Sequence, residues 1–251
     1  MRTLLLPCTA LLLCAGCFQA ETEVVLRADG SGCQHLRLVL PDRALGLLRG
    51  AVQAVESTAR RSDPRDLLDE KKVRAELTDC GVDLRAYRAN AEGARHAVEI
   101  DVEFAGLAAL RANPLTGGER ATWQIEGGPA AGLVRLVWYP QGEEAWRAAR
   151  RKARELAGES DAAVQQFVQS RLRQIDGLDV RLALTLPGNV VAHTANLKLE
   201  GKRKVVASIA AEDVRTANDL LLRIAPRYEV VFECPSFPVP DAAAAAAGSA
   251  R

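Results

Sequence analysis

The amino-acid sequence predicts an α+β fold: a mostly antiparallel sheet of hairpin-linked strands with amphipathic helices packed on one face. Three features predict it. Apolar residues alternate with polar ones in several short runs, most clearly at Val98, Ile100, Val102 and Phe104 and again at Val180, Leu182, Leu184 and Leu186, which is the two-residue period of a half-buried strand. Turn-rich joints such as Asp29-Gly30-Ser31-Gly32 and Gly127-Gly128-Pro129 are too short for a parallel crossover and return the chain antiparallel. Between the hairpins lie stretches with apolar residues at three- and four-residue steps, the stripe of a helix that covers one side of a sheet.

At the start of the chain Arg2 precedes Leu4 to Leu6 and the apolar run Ala10 to Leu13. This is the charged start and short core of a secretory signal, shorter than the ~20 apolar residues of a bilayer-spanning helix. Cys14-Ala15-Gly16-Cys17 follows, then a polar stretch from Gln19 to Glu23. The small Ala15 and Gly16 side chains let a peptidase hold the chain extended at the scissile bond. The arrangement resembles the bacterial lipobox, in which the cysteine is diacylated on sulfur, cut free and acylated on its new amine. This reading makes 1–16 a lipoprotein signal peptide, Cys17 the lipid attachment and 17–22 a lipidated tether, with one α+β domain over 23–234. An ordinary secretory cut at Ala15 or Ala20 is the alternative.

Within the domain, Glu23 to Ala28 and His35 to Leu40 form the first predicted hairpin. Asp42 caps a helix marked by Leu45, Leu48, Val52 and Val55, and a second helix runs from Arg65 to Thr78, ended by Gly81. Val82 to Tyr87 and Ala97 to Phe104 are the next strand pair, followed by a short helix from Ala105 to Ala112 that Asn113-Pro114 stops. Thr122 to Glu126 pairs with Leu133 to Tyr139. The longest helical stretch, Glu143 to Ile175, is broken near Gly158 to Asp161; Trp146, Ala149, Ala153 and Leu156 mark the buried stripe of its first half, and Val164, Phe167, Val168 and Leu172 that of its second. Its first half also carries Arg147, Arg150, Arg151, Lys152 and Arg154, read as a solvated face or as a cationic surface for anionic head groups. Strands at Asp179 to Leu186, Val190 to His193, Asn196 to Glu200 and Lys204 to Ile209, a helix from Ala211 to Ile224 and a strand from Tyr228 to Glu233 complete the domain. The strands before Phe104 and after Lys204 read as halves of one continuous sheet. The Pro- and Ala-rich stretch 235–251 reads as a disordered tail.

Of 251 residues, 33 are basic and 32 acidic, a net charge of +1 that leaves no electrostatic footprint for nucleic acid. Only six of the 33 basic residues are lysines, a bias that fits a GC-rich genome. With Cys8 and Cys14 in the signal and Cys17 acylated, Cys33, Cys80 and Cys234 remain in an oxidising compartment. At most one internal disulfide forms among three, and Cys80 with Cys234 is the preferred pair. No metal is expected: there is no C-x-x-C, and His35, His96 and His193 form no paired-histidine motif. Cys33-Gln34-His35 invites a nucleophile reading, but no base or oxyanion element accompanies it, and Asp101 and Glu103 fall on the polar side of a strand. Neither reads as a catalytic group, no cofactor is expected, and the chain is expected not to be an enzyme.

The lipobox, the first strand leading into Asp29-Gly30-Ser31-Gly32, and Leu186-Pro187-Gly188-Asn189-Val190 followed by Asn196 and a turn at Gly201 together resemble the LppM-like bacterial lipoproteins. That resemblance implies a non-enzymatic envelope protein whose α+β domain binds amphiphilic envelope molecules. The expected partners are the membrane, through the covalent lipid (palmitate-type chains at Cys17), and an envelope protein or an amphiphilic ligand. Phe18 stands where an aspartate commonly retains lipoproteins at the inner membrane, so outer-membrane placement is expected in a host that has one.

Overall fold

A computed structural model describes residues 19–41, 64–93, 95–157, 179–210 and 225–239, with the single positions 213, 219, 222 and 223. The signal peptide, Cys17, the helices expected after Asp42 and around Val164 to Leu172, most of the helix expected across Ala211 to Ile224, and the tail beyond Val239 lie outside the described residues.

The class is α+β. In chain order the elements are β1 (Gln19–Leu26), β2 (Gly32–Pro41), α1 (Glu70–Asp79), β3 (Val82–Glu92), β4 (Arg95–Phe104), α2 (Leu107–Ala112), β5 (Thr122–Gly127), β6 (Leu133–Tyr139), α3 (Glu143–Ala157), β7 (Asp179–Thr185), β8 (Val190–His193), β9 (Lys198–Glu200), β10 (Lys204–Ala210) and β11 (Tyr228–Glu233). The strands form two sheets rather than one. Sheet A has the order β3-β4-β2-β1-β7-β10-β9 and sheet B the order β5-β6-β11-β8.

The late strands do join the early ones, through a parallel pairing of β1 with β7 in which Gln19 faces Asp179 and Val25 faces Thr185. Every other pairing is antiparallel. Alternation shows which residues face inward but not which sheet receives them, and β8 and β11 leave sheet A. The chain crosses between the sheets at Pro187-Gly188-Asn189, where the Gly188 backbone lies so close to that of Glu233 that a Cβ would stand 1.5 Å from its carbonyl oxygen.

The inward faces of the two sheets share one apolar core. Val24, Leu26, Leu36, Ile100, Val102, Phe104 and Leu184 from sheet A meet Trp123, Ile125, Leu136, Val230 and Phe232 from sheet B, with Val73 and Leu77 of α1. A buried polar clamp crosses this core. Gln34 Nε2 donates to Thr22 Oγ1 at 2.9 Å and to the Leu115 carbonyl, while its Oε1 accepts from Asn113 Nδ2 at 2.7 Å. All of it is hydrogen-bonded, which is what makes a buried amide pair tolerable. On the outer side of sheet B, Val137, Tyr139 and Val231 are buried, as are Ala149 and Ala153 of α3; Trp146 of α3 meets Tyr139 edge-on at 5.6 Å.

Three expectations need correction. β1 begins at Gln19, so Gln19–Thr22 are sheet and not tether: Ala20 and Thr22 continue the inward period of Val24 and Leu26, while Gln19, Glu21 and Glu23 sit on the charged outer face, which is why the stretch reads as polar linker. The helix expected from Arg65 is divided at Asp69, whose Oδ1 caps α1 by accepting from the amides of Lys71 and Lys72, with a 3-10 turn at Pro64–Leu68 before it. Residues 235–239 belong to the fold rather than a tail, because Phe237 is buried edge-on against Phe232 at 5.4 Å and Val239 packs on the core.

Gly188→Ala is expected to cost more than about 3 kcal/mol in chemical denaturation, because the new methyl must displace backbone rather than a flexible side chain. A loss under about 0.5 kcal/mol would show that the sheets are not joined as described.

Candidate interaction face

The outer face of sheet A is a lattice of charges set by strand register. Arg181, Glu21, Arg37, Glu99 and Arg88 lie side by side across β7, β1, β2, β4 and β3, alternating in sign at each step. Arg181 pairs with Glu21 at 2.9 Å and reaches Glu200 of β9 at 3.1 Å, and Glu99 receives both Arg37 and Arg88. One row further along, Glu23 accepts from Lys204 at 2.7 Å and from the Thr185 hydroxyl at 3.1 Å. Glu103 is held by Arg27 and Arg85, whose guanidinium groups keep its carboxyl below the usual range. Exposed pairs of this kind add little to stability one by one. Opposite charges in register mainly forbid a one-residue slip, which would turn the slipped strand's charges into the core.

The same register brings together three residues the sequence separates. Cys33 and His35 share the outer face of β2, and His35 Nδ1 donates to Asp101 Oδ1 at 2.6 Å across the β2–β4 pair. Glu103 stands opposite Cys33. A thiol, an imidazole and an orienting carboxylate are the ingredients of a nucleophilic site, yet the surroundings work against a thiolate. Burial pushes the Cys33 thiol up, the nearby carboxylates Glu103, Glu23 and Asp101 push it further, and only Arg27 opposes them. Asp101 and Glu103 thus serve strand pairing, as partners of His35 and of the two arginines.

The remaining expected site residues are dispersed. Cys80 follows α1 beside β3 of sheet A, and Cys234 follows β11 of sheet B, buried with its sulfur 3.9 Å from the Ser236 hydroxyl. Both carry thiols, as does Cys33, so the Cys80–Cys234 bridge is not made in this structure; a disulfide needs Cβ atoms about 4 Å apart. His193 Nδ1 lies 3.0 Å from the Thr194 carbonyl. No three His, Cys, Asp or Glu side chains among the described residues gather as a metal site, and no described helix is long and apolar enough to cross a membrane.

A shallow cleft of about 130 Å³ opens at the start of β1, between Glu21, Arg37, Val39, Asp179 and Arg181. It is smaller than the 300–1,000 Å³ of typical small-molecule sites, and its arginines are already committed to Glu21, Glu99 and Glu200. A second arginine cluster, on the outer side of sheet B, has no sequence motif to announce it. Arg227 stacks near the rings of Tyr139 and Trp146 and pairs with Glu229, which also accepts from Arg135 at 2.7 Å. The two arginines hold the Glu229 carboxyl below its usual range. Arg150 lies 5.2 Å from the Trp146 ring centre.

No family model and no curated protein matches the chain. Among solved structures it is similar to the folded domain of the LppM protein of Mycobacterium tuberculosis, at 10% identity over 86% of this chain and 90% of that one, with a TM-score of 0.39. It is also similar to the Mu homology domain of Danio rerio Fcho1 with a bound Eps15 peptide, at 6% identity over 87% of this chain and 78% of that one, with a TM-score of 0.21. At these scores neither likeness supports a conclusion on fold or function.

The environment of Cys33 yields a direct expectation. In a mass-spectrometric time course at pH 8, Cys33 should alkylate several-fold more slowly than a free peptide thiol. Faster labelling than the free thiol would reinstate the nucleophile.

Proposed function

We propose that this chain is a lipid-anchored protein of the bacterial cell envelope that works through its surface, as a non-catalytic interaction or structural protein. The observation that carries this reading is the start of β1. Gln19 is already paired on both sides, with Val39 of β2 and Asp179 of β7, only two residues after the cysteine of the lipobox. Acyl chains on Cys17, at ~0.8 kcal/mol per buried methylene, would then hold the sheet itself and not a loose leash. The end of sheet A formed by Gln19, Pro41, Arg95 and Asp179 faces the bilayer, the strands rise from it, and the charge-paired outer face is presented to neighbours in the envelope. Outer-membrane placement follows from Phe18 in a host with two membranes.

A second reading, a binding module for an amphiphilic envelope molecule, is favoured by one observation in the core. Trp123 and Trp138 stack at 4.6 Å, both are buried, and neither indole N–H finds a protein acceptor among the described residues, although buried indoles usually do. Toward the Gln19 end the inward residues Ala20, Thr22, Val180, Leu182 and Ile209 are only half-buried. An amphiphile entering there would supply oxygen acceptors. Its co-purification in native mass spectrometry would move the assignment to this reading.

The anchor is tested by metabolic labelling with palmitate. The wild type should incorporate label, Cys17→Ser should not, and Cys33→Ser should incorporate it undiminished. Label that persists in Cys17→Ser, or is absent from the wild type, would remove the basis of the proposal. In cells, crosslinking from the outer face of sheet A should recover a defined envelope protein; failure across several chemistries would count against an interaction role.

A further inference from the structure

Sheet A pairs many of its outer-face charges through strand register, whereas three arginines of α3 pair with no carboxylate among the described residues. Arg147, Arg150, Arg151 and Arg154 recur at three- and four-residue steps and so form one stripe along the helix, flanking the stripe of half-buried Trp146 and buried Ala149 and Ala153. Arg147 is paired with Glu143. Arg154 sits in the last turn, where a cation complements the helix dipole. Arg150, Arg151 and Arg154 are exposed and make no ion pair with a carboxylate among the described residues, although the helix itself offers Glu144 and Glu155. Lys152, on another side of α3, is the residue that takes Glu155. In a chain whose net charge is only +1, three adjacent guanidinium groups without a carboxylate partner among the described residues are a local feature that bulk composition hides.

The residues beside the stripe suggest what covers it. α3 starts just after Tyr139, and its first turns carry Trp146, half-buried, with Arg150 near its ring. An amphipathic indole beside guanidinium groups suits the head-group layer of a bilayer.

We propose that the arginine stripe of α3 docks the domain onto anionic phospholipid head groups of the membrane that holds Cys17. The proposal rests on the lipid-anchor reading above, and it adds a second, salt-sensitive contact that fixes how the domain leans. Each arginine near an anionic surface contributes about a fivefold gain in partition, and 1 M salt, with a Debye length of ~3 Å, cancels most of it.

The lipidated full chain is reconstituted into phosphatidylcholine vesicles, with or without about a third phosphatidylglycerol, that contain a head-group spin label. Trp146 is read as the fluorescence difference between the chain and its Trp146→Phe variant. Flotation with neutral vesicles reports the anchor alone. Quenching of Trp146 should rise about twofold or more on adding the anionic lipid and fall back in 1 M salt. It should stay at the neutral-vesicle level in R150Q/R151Q/R154Q, while R37Q/R85Q/R88Q, which removes the same number of charges from sheet A, keeps the gain. Flotation without any anionic gain overturns the stripe and leaves the anchor standing. Equal loss in both triple variants reduces the effect to net charge and also overturns it. So does a stripe variant that keeps the gain but loses a crosslinked acidic protein. Absence of flotation with either vesicle removes both readings.

Discussion

Sheet A depends on β1 being paired along both edges. Its antiparallel partner β2 is the next strand in the chain, but its parallel partner β7 arrives more than a hundred residues later, so this one strand closes the longest loop in the sheet. Without it the sheet falls into β3-β4-β2 and β7-β10-β9, and the inward Val24 and Leu26 leave the core that both sheets share. Sheet B is then affected as well, because β7 passes directly through Gly188 to β8. The alternating charges of β7, β1, β2, β4 and β3 pin this arrangement in register, since a one-residue slip of β1 would turn Glu21 and Glu23 into the core and part them from their partners.

Under the proposed lipid anchor, the same strand would connect fold to location. A tether of six flexible residues would let the domain sample many orientations, whereas a strand that starts two residues after Cys17 would couple a lipid there to the sheet. The asymmetry of the surface acquires meaning in that frame. Sheet A offers a face whose charges are largely paired in register, suited to contacts that do not depend on strong attraction. α3 offers arginines with no carboxylate partner among the described residues. The Cys33, His35 and Asp101 cluster falls on that paired face, where burial first and then the nearby carboxylates push the Cys33 thiol up.

Much of this was legible in the residues. Strict alternation at Val98–Phe104 and at Val180–Leu186 located β4 and β7, and the glycine-rich joints located the hairpins, because both signals are local. What escaped was non-local. Alternation cannot tell a sheet from its neighbour, so the division into two sheets and the parallel β1–β7 contact were invisible. The polar character of Gln19–Glu23 reads as linker until the charged outer face that receives it is known. Asp69 splits a helix whose apolar stripe looks continuous, through a side-chain cap that only geometry reveals. The contrast between paired and unpaired arginines was equally hidden, since it depends on which carboxylates the register brings within reach.

The central claim, that the Gln19 end of sheet A rests on the bilayer with the strands standing away from it, is open to one direct measurement. Fluorophores placed in the β3–β4 turn at position 93 and in the β9–β10 turn at position 202 mark the two ends of the sheet, roughly 25 Å apart for eight residues of strand. Energy transfer from each to acceptors in the head groups, in the lipidated chain, should place position 93 close to the membrane and position 202 farther out by about that length. Equal distances, or the reverse order, would contradict the account.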